Sequence, residues 1–211
     1  MPNDDLGKTA ARADLCRLLA ACYYQPSREL AEEKVFDSML DAATSVDGDL
    51  AARVRRLGAQ FSEESLEALL LDYTRLFLGP TNVLAQPYES VWLTGEQTLM
   101  QDTSMAVLDL YKDGGFEIDE EFRELPDHIA AELEFLYLLL FREAQARRNN
   151  DPQALFDVVA LQRRFLDQHL ARWVEPFAAA MAAGARTAFY RELAALTQRV
   201  VESEAERIRA A

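Results

Sequence analysis

Apolar positions recur along this 211-residue chain with the period of an α-helix. Leu15, Leu18, Leu19, Cys22 and Tyr23 form one stripe, and Leu66, Leu69, Leu70, Tyr73, Leu76 and Phe77 form a second. Ile129, Leu133, Leu136, Tyr137, Leu140 and Phe141 make a third, and Phe189, Leu193, Leu196 and Val200 a fourth. None alternates as a half-buried strand would. The pattern predicts helices over residues 9–24, 28–45, 48–60, 63–78, 95–112, 126–148, 152–182 with a bend near Pro176, and 185–208. The fold class expected is all-α. Punctuation supports the division. Ser62 ahead of Glu63 and Glu64 suits a helix start, and Gly114 with Gly115 suits a stop. Asp151 is expected as an N-cap with Pro152 at the first helical position, and Gly184 marks a last break.

One segment breaks the period: Gly79 to Leu93, GPTNVLAQPYESVWL, with two prolines and the large rings of Tyr88 and Trp92. A connection this long inside a helical bundle is usually functional or disordered, and its aromatic content argues against disorder. Two readings stand: a recognition surface, or a loop pinned to the core by its rings.

Half of the residues are hydrophobic, enough to bury a core without staples. Cys16 and Cys22 would lie about 9 Å apart along a helix, too far for a disulfide, so they read as buried free thiols. The first residues carry charge with no apolar run, and no stretch is long enough to span a bilayer, so a cytoplasmic protein without membrane insertion is expected. The formal charge of −14 argues against nucleic-acid binding, where cationic side chains must neutralise phosphates. It is also unevenly spread: Glu117 to Glu134 holds eight acids and one base, a net of −7.

With only His128 and His169, a hydrolase triad has few ways to form. His169 sits on an apolar face behind Phe165 and Leu166 and reads as a satisfied core histidine. His128 and Glu132, four apart, could share a helix face and hold a metal, but neither histidine follows a glutamate at the spacing a di-iron bundle needs. Placed in the first turn after Pro126, Asp127 and His128 would present an anchored carboxylate and a neutral ring, either as a plain cap or as a binding pair.

At these residues the chain resembles the TorD/DmsD family of redox enzyme maturation proteins. The likeness runs through LLAACYYQP (Leu18 to Pro26), DYTRLFLGP (Asp72 to Pro80), QPYESVW (Gln86 to Trp92), ELPDHIAAELEFL (Glu124 to Leu136) and FLDQHLARWVEPF (Phe165 to Phe177). It implies two helical parts joined by a hinge, here residues 1–112 and 113–211, and a chaperone rather than an enzyme, with no cofactor of its own. Its implied partner is the precursor of a molybdopterin oxidoreductase, bound through the twin-arginine signal peptide or another part until cofactor insertion is complete. Carried over by position, the implied peptide-binding residues are Tyr73, Leu76, Phe77, Pro87, Tyr88, Ser90, Trp92, Asp127 and His128. The family's usual turn has proline directly after glutamate, whereas Leu125 intervenes here before Pro126.

The acidic stretch agrees, since a cationic signal followed by apolar residues could meet carboxylates and then rings. On this reading Asp127 supplies charge to the client and His128 a hydrogen bond. Two other functions are weighed: an assembly chaperone of the nitrate reductase type acting on a cytoplasmic subunit, and a metal-dependent hydrolase or lyase using His128 with Glu124, Asp127 or Glu132. A hinge admits either a monomer or a domain-swapped dimer.

Overall fold

Amphipathic stripes must bury their apolar faces against one another, and here they do so as a bundle of helices. The computed structural model describes residues 2–79, 83–94, 101–117 and 124–210. In order they form α1 (Pro2–Ala21), α2 (Glu29–Glu32), α3 (Val35–Val46), α4 (Gly48–Glu63) and α5 (Leu66–Tyr73), which runs into a π turn, Thr74–Leu78. Next come α6 (Glu89–Thr94), α7 (Gln101–Asp113), α8 (Ile129–Asn149), α9 (Pro152–Gln168), α10 (Leu170–Gly184) and α11 (Ala188–Ala210). Among the described residues no strand forms; an isolated antiparallel bridge joins Tyr88 to His128.

Helix α1 lies along α8 and α3, and α11 packs against α10, α4 and α9. The α1–α8 and α11–α4 pairings cross the 112/113 boundary, so both parts contribute to one core. Trp173, Tyr23, Tyr111, Tyr190, Phe135, Phe165, Phe177 and Phe189 fill it. Cys16 and Cys22 are free and buried. At the meeting of α1, α8, α9 and α11, the buried Glu143 carboxylate takes Gln162 at 2.9 Å, Arg147 at 2.8 Å, Arg207 at 3.4 Å and Arg12 at 3.6 Å.

Several boundaries agree with the sequence. Asp151 caps α9 through Ala154 N–H at 3.0 Å with Pro152 next to it, and α7 ends where Gly115 takes a φ of 58°. Others move, each for a local reason. The helix predicted over 28–45 is divided at Lys34, whose φ of 55° ends α2 and starts α3. Ser62 does not start a helix, because its hydroxyl donates back to Gly58 O inside α4. Ser65 caps α5 instead, accepting from Ala68 N–H at 3.2 Å. The 152–182 helix breaks at His169, where the side chain is drawn to Glu89, while Pro176 sits within α10 without ending it. Helix α8 begins at Ile129 rather than at Pro126, because Pro126 and Asp127 form a turn and His128 is held extended by the bridge to Tyr88 of the preceding loop. Helix α6 lies in the stretch read as loop. Residues 95–100, expected to open α7, fall outside the described residues.

Candidate functional site

The loop before α6 and the turn before α8 are tied into one unit. Glu89 N–H donates to Asp127 O at 3.0 Å, and Ile129 N–H to Pro87 O at 2.9 Å. Asp127 Oδ2 accepts from Ser90 N–H at 3.0 Å, Oδ1 accepts from the Ser104 hydroxyl of α7 at 2.9 Å, and the residue is 0 % exposed. Tyr111 of α7 donates to Pro126 O at 2.8 Å. The Asp-His turn is thus the point where α6, α7 and α8 are joined.

His128 is the N-cap of α8. Its Nδ1 accepts from Ala130 N–H at 3.1 Å, and Tyr88 meets the ring edge-on at 5.3 Å. Burial lowers its pKa from 6.5 to about 4, against the opposing pull of Glu124 and Asp127, so the ring is neutral at neutral pH. That agrees with the neutral ring read from the sequence, although the physical cause is burial and the cap is the ring itself.

The residues singled out in the sequence divide into an inward and an outward set. Leu76, Phe77, Pro87, Ser90, Asp127 and His128 are buried. Phe77 packs among Tyr23, Tyr73, Phe177 and Tyr190, and Leu76 O accepts from Ala85 N–H at 2.9 Å. Tyr73, Tyr88 and Trp92 are half-buried and reach the surface. Trp92 pins the loop, since its Nε1 donates to Gln86 O at 2.8 Å and its ring packs on Phe177, while part of the ring stays open.

Beside the outward set lie residues the sequence reading did not select. Tyr24 donates to Glu134 at 2.9 Å, and Tyr88 donates to Glu124. Burial raises the Tyr24, Tyr73 and Tyr88 phenols above their ordinary value, and the nearby Glu124 charge raises all three further, with Glu134 adding to Tyr24. Each ring therefore stays a neutral donor close to a carboxylate. Leu71 and Leu78 are largely exposed on α5 and its π turn. A signal was available: Tyr24, Leu71 and Leu78 are apolar or aromatic residues that fall off the stripes of their own helices. Of the acidic stretch, residues 118–123 lie outside the described residues. Of the described acids in the stretch, Glu117, Glu124 and Glu134 reach the surface, the last two beside the tyrosines, and Asp127, expected to meet the client, is withdrawn from solvent with both oxygens occupied.

The metal-dependent alternative needs His128 to converge with Glu124, Asp127 or Glu132, but Glu124 accepts from Tyr88 and both Asp127 oxygens from Ser90 and Ser104. In addition, His128 Nδ1 is taken by Ala130 N–H, and Glu132 Oε2 accepts from Trp173 Nε1 at 3.1 Å.

Comparison with known proteins decides the family. The family model described as nitrate reductase delta subunit matches residues 43–179, well over half of the chain. The chain belongs to that family. Its relatives include the perchlorate reductase assembly chaperone protein of Dechloromonas aromatica, 31 % identical over 161 residues, covering 71 % of this chain and 70 % of that one. The Tat proofreading chaperone DmsD of Salmonella typhi is 27 % identical over 192 residues, 88 % of each chain. Chaperone protein TorD of Shewanella piezotolerans is 26 % identical over 210 residues, 93 % of this chain and 91 % of that one. A structure described as a redox enzyme maturation protein from Archaeoglobus fulgidus superposes with a TM-score of 0.55 at 21 % identity, over 90 % of this chain and 93 % of that one, and supports the fold. Membership makes the chain a redox enzyme maturation chaperone and not an enzyme. Among the described residues no helix is long and apolar enough to cross a membrane.

Proposed function

We propose that this chaperone works in the cytoplasm on the unfinished catalytic subunit of a molybdopterin oxidoreductase, holding its twin-arginine signal peptide until the cofactor is in place. The observation that carries the reading is the group of outward tyrosines, Tyr24, Tyr73 and Tyr88, standing with the carboxylates of Glu124 and Glu134. A guanidinium stacks on an aromatic face and pairs with a carboxylate through its planar fork, so such a group suits arginine better than lysine. Trp92, Leu71 and Leu78 offer apolar surface for the hydrophobic stretch that follows the arginines. Tyr73, Tyr88 and Trp92 touch the peptide on this reading. Leu76, Phe77, Pro87, Ser90, Asp127 and His128 hold that surface in place from behind. Binding needs no cofactor on the chaperone.

The test is capture of the tagged chaperone from its native cell and identification of what comes with it, followed by titration with the signal peptide of that client. Replacing both arginines by glutamine should weaken binding, because the charge that Glu124 and Glu134 meet is gone. Capture of a subunit that carries no such signal would instead support a nitrate-reductase-type assembly role, which the description of the matching family model favours. The division into parts 1–112 and 113–211 about a hinge belongs to the same proposal. Light scattering on the purified protein separates a monomer from a domain-swapped dimer.

A further inference from the structure

Behind the outward tyrosines lies a group of buried acids that the client contact does not use. Glu89 opens α6, Glu132 lies in the first turn of α8, and His169 stands at the break between α9 and α10. Both glutamates are 0 % exposed and His169 is 6 % exposed. His169 Nδ1 lies 2.9 Å from each Glu89 oxygen, and since an ionised carboxylate only accepts, the ring nitrogen carries the hydrogen. Glu132 Oε2 is taken by Trp173 of α10. Its other oxygen, Oε1, is buried and meets no donor among the described residues, and the Glu132 and Glu89 carboxyls are near enough to act on each other's proton.

Two ionised carboxylates in that position would be acceptor against acceptor in a low-dielectric interior. The other titratable groups facing them do not relieve this. Asp127 is a third carboxylate, already satisfied by Ser90 and Ser104, and Tyr111 of α7 gives its hydrogen to Pro126 O. The His169 N–H serves Glu89 and not the unmatched oxygen of Glu132. A proton between the two glutamates removes one of their two charges and turns that oxygen into a donor.

We infer that Glu132 is carried as the neutral acid with its O–H given to Glu89, and that the chain Glu132–Glu89–His169 is a latch positioning Tyr88 and Trp92 for the client. The three groups join the first residue of α6 to α8 and to the α9/α10 break, while the surface residues Tyr88 and Trp92 flank Glu89 in sequence. Burial raises the carboxyls of both glutamates, Glu132 well above its ordinary value, with each other's charge acting in the same direction on Glu132. A raised folded value means that the latch is complete at low pH and is lost as pH rises through it. Raising the pH through that value then sets two negative charges side by side under the loop and loosens it.

The positioning role rests on the client reading above; the shared proton does not, so the test has two arms. Infrared difference spectra of wild type minus Glu132→Gln at neutral pH should contain the C=O band of a protonated, deuterium-sensitive carboxylic acid. In the second arm, a synthetic peptide with two arginines followed by an apolar stretch is titrated from neutral to alkaline pH. Wild-type affinity should fall as pH rises. Glu132→Gln, whose amide can donate to Glu89 at every pH, should bind within about twofold of wild type at neutral pH and lose the fall, while Glu89→Gln, which breaks the His169 pair, should bind about tenfold more weakly. Absence of the acid band overturns the latch, as does a Glu132→Gln protein weakened as much as Glu89→Gln. A band accompanied by no wild-type binding at any pH overturns the client reading and the positioning role with it, leaving only the proton.

Discussion

Replacing Asp127 separates a charge offered to the client from a joint inside the chaperone. The carboxylate is fully enclosed and accepts two hydrogen bonds, from Ser90 N–H at 3.0 Å and from the Ser104 hydroxyl at 2.9 Å. Asparagine keeps the shape. Its oxygen can face Ser90 N–H, and its amide can face Ser104 if the hydroxyl turns to accept, so what is lost is chiefly the assistance of the negative charge. Charged hydrogen bonds contribute roughly 1.5 to 3 kcal/mol against 0.5 to 1.5 for neutral ones, so Asp127→Asn should destabilise by about 1 to 2 kcal/mol. Alanine goes further, because the buried Ser90 N–H then has no acceptor, and about 2 to 4 kcal/mol is expected. Urea titrations followed by circular dichroism read both, as a lower midpoint at unchanged slope. The binding measurement that accompanies them is a salt series. The Debye length shortens from about 30 Å at 0.01 M to about 8 Å at 0.15 M, so a direct contact between Asp127 and a cationic peptide would show a loss largest at low salt. A joint that holds the loop in place should give a loss that salt leaves unchanged. If Asp127→Asn melts like wild type but loses affinity only at low salt, the carboxylate reaches the client and the assignment made from its burial is wrong.

The charge that does face outward should behave in the opposite way: Glu124→Gln with Glu134→Gln should leave the melting midpoint almost unchanged, weaken an arginine-bearing peptide at low salt, and matter little to its glutamine-substituted counterpart. Trp92→Ala should lower unfolding free energy by about 2 to 3 kcal/mol, below the 3 to 5 kcal/mol of a fully buried ring, and weaken peptide binding as well; Trp92→Phe, which keeps a ring but gives up the Gln86 hydrogen bond, should cost about 1 kcal/mol in the same denaturant assay. For His128, the folded value of about 4 lies below the ordinary value of 6.5, so the unfolded chain binds the extra proton between them. The stability it contributes is complete above about pH 6.5 and is lost as pH falls towards 4, by about 3 kcal/mol at most. His128→Asn, which retains a capping oxygen, should lack that loss, and denaturant midpoints across the window compare the two. Glu143→Gln should destabilise strongly in the same assay at neutral pH, because Arg12, Arg147 and Arg207 would share a neutral partner.

The helices were legible because period is a property of the chain itself. Leu15 to Tyr23, Ile129 to Phe141 and Phe189 to Val200 each declare one face, and Asp151 with Pro152 and the paired glycines at 114 and 115 act through their own backbones. The two motifs QPYESVW and the Asp-His turn do come together in the fold. Which of their side chains face in was not legible. A carboxylate in an acidic stretch reads as surface charge, yet Asp127 is enclosed while Glu124, three residues earlier, is exposed. That difference depends on donors far along the chain, from Ser90 and Ser104, and on a backbone bridge that no local pattern encodes. The same holds for Glu89, Glu132 and His169, which lie up to eighty residues apart and share one buried site because four helices end or begin there. Local periodicity determined what could be a helix and which faces were apolar. Tertiary packing alone decided where helices stop and which polar groups are enclosed, because burying a charge requires partners that only the assembled core can supply.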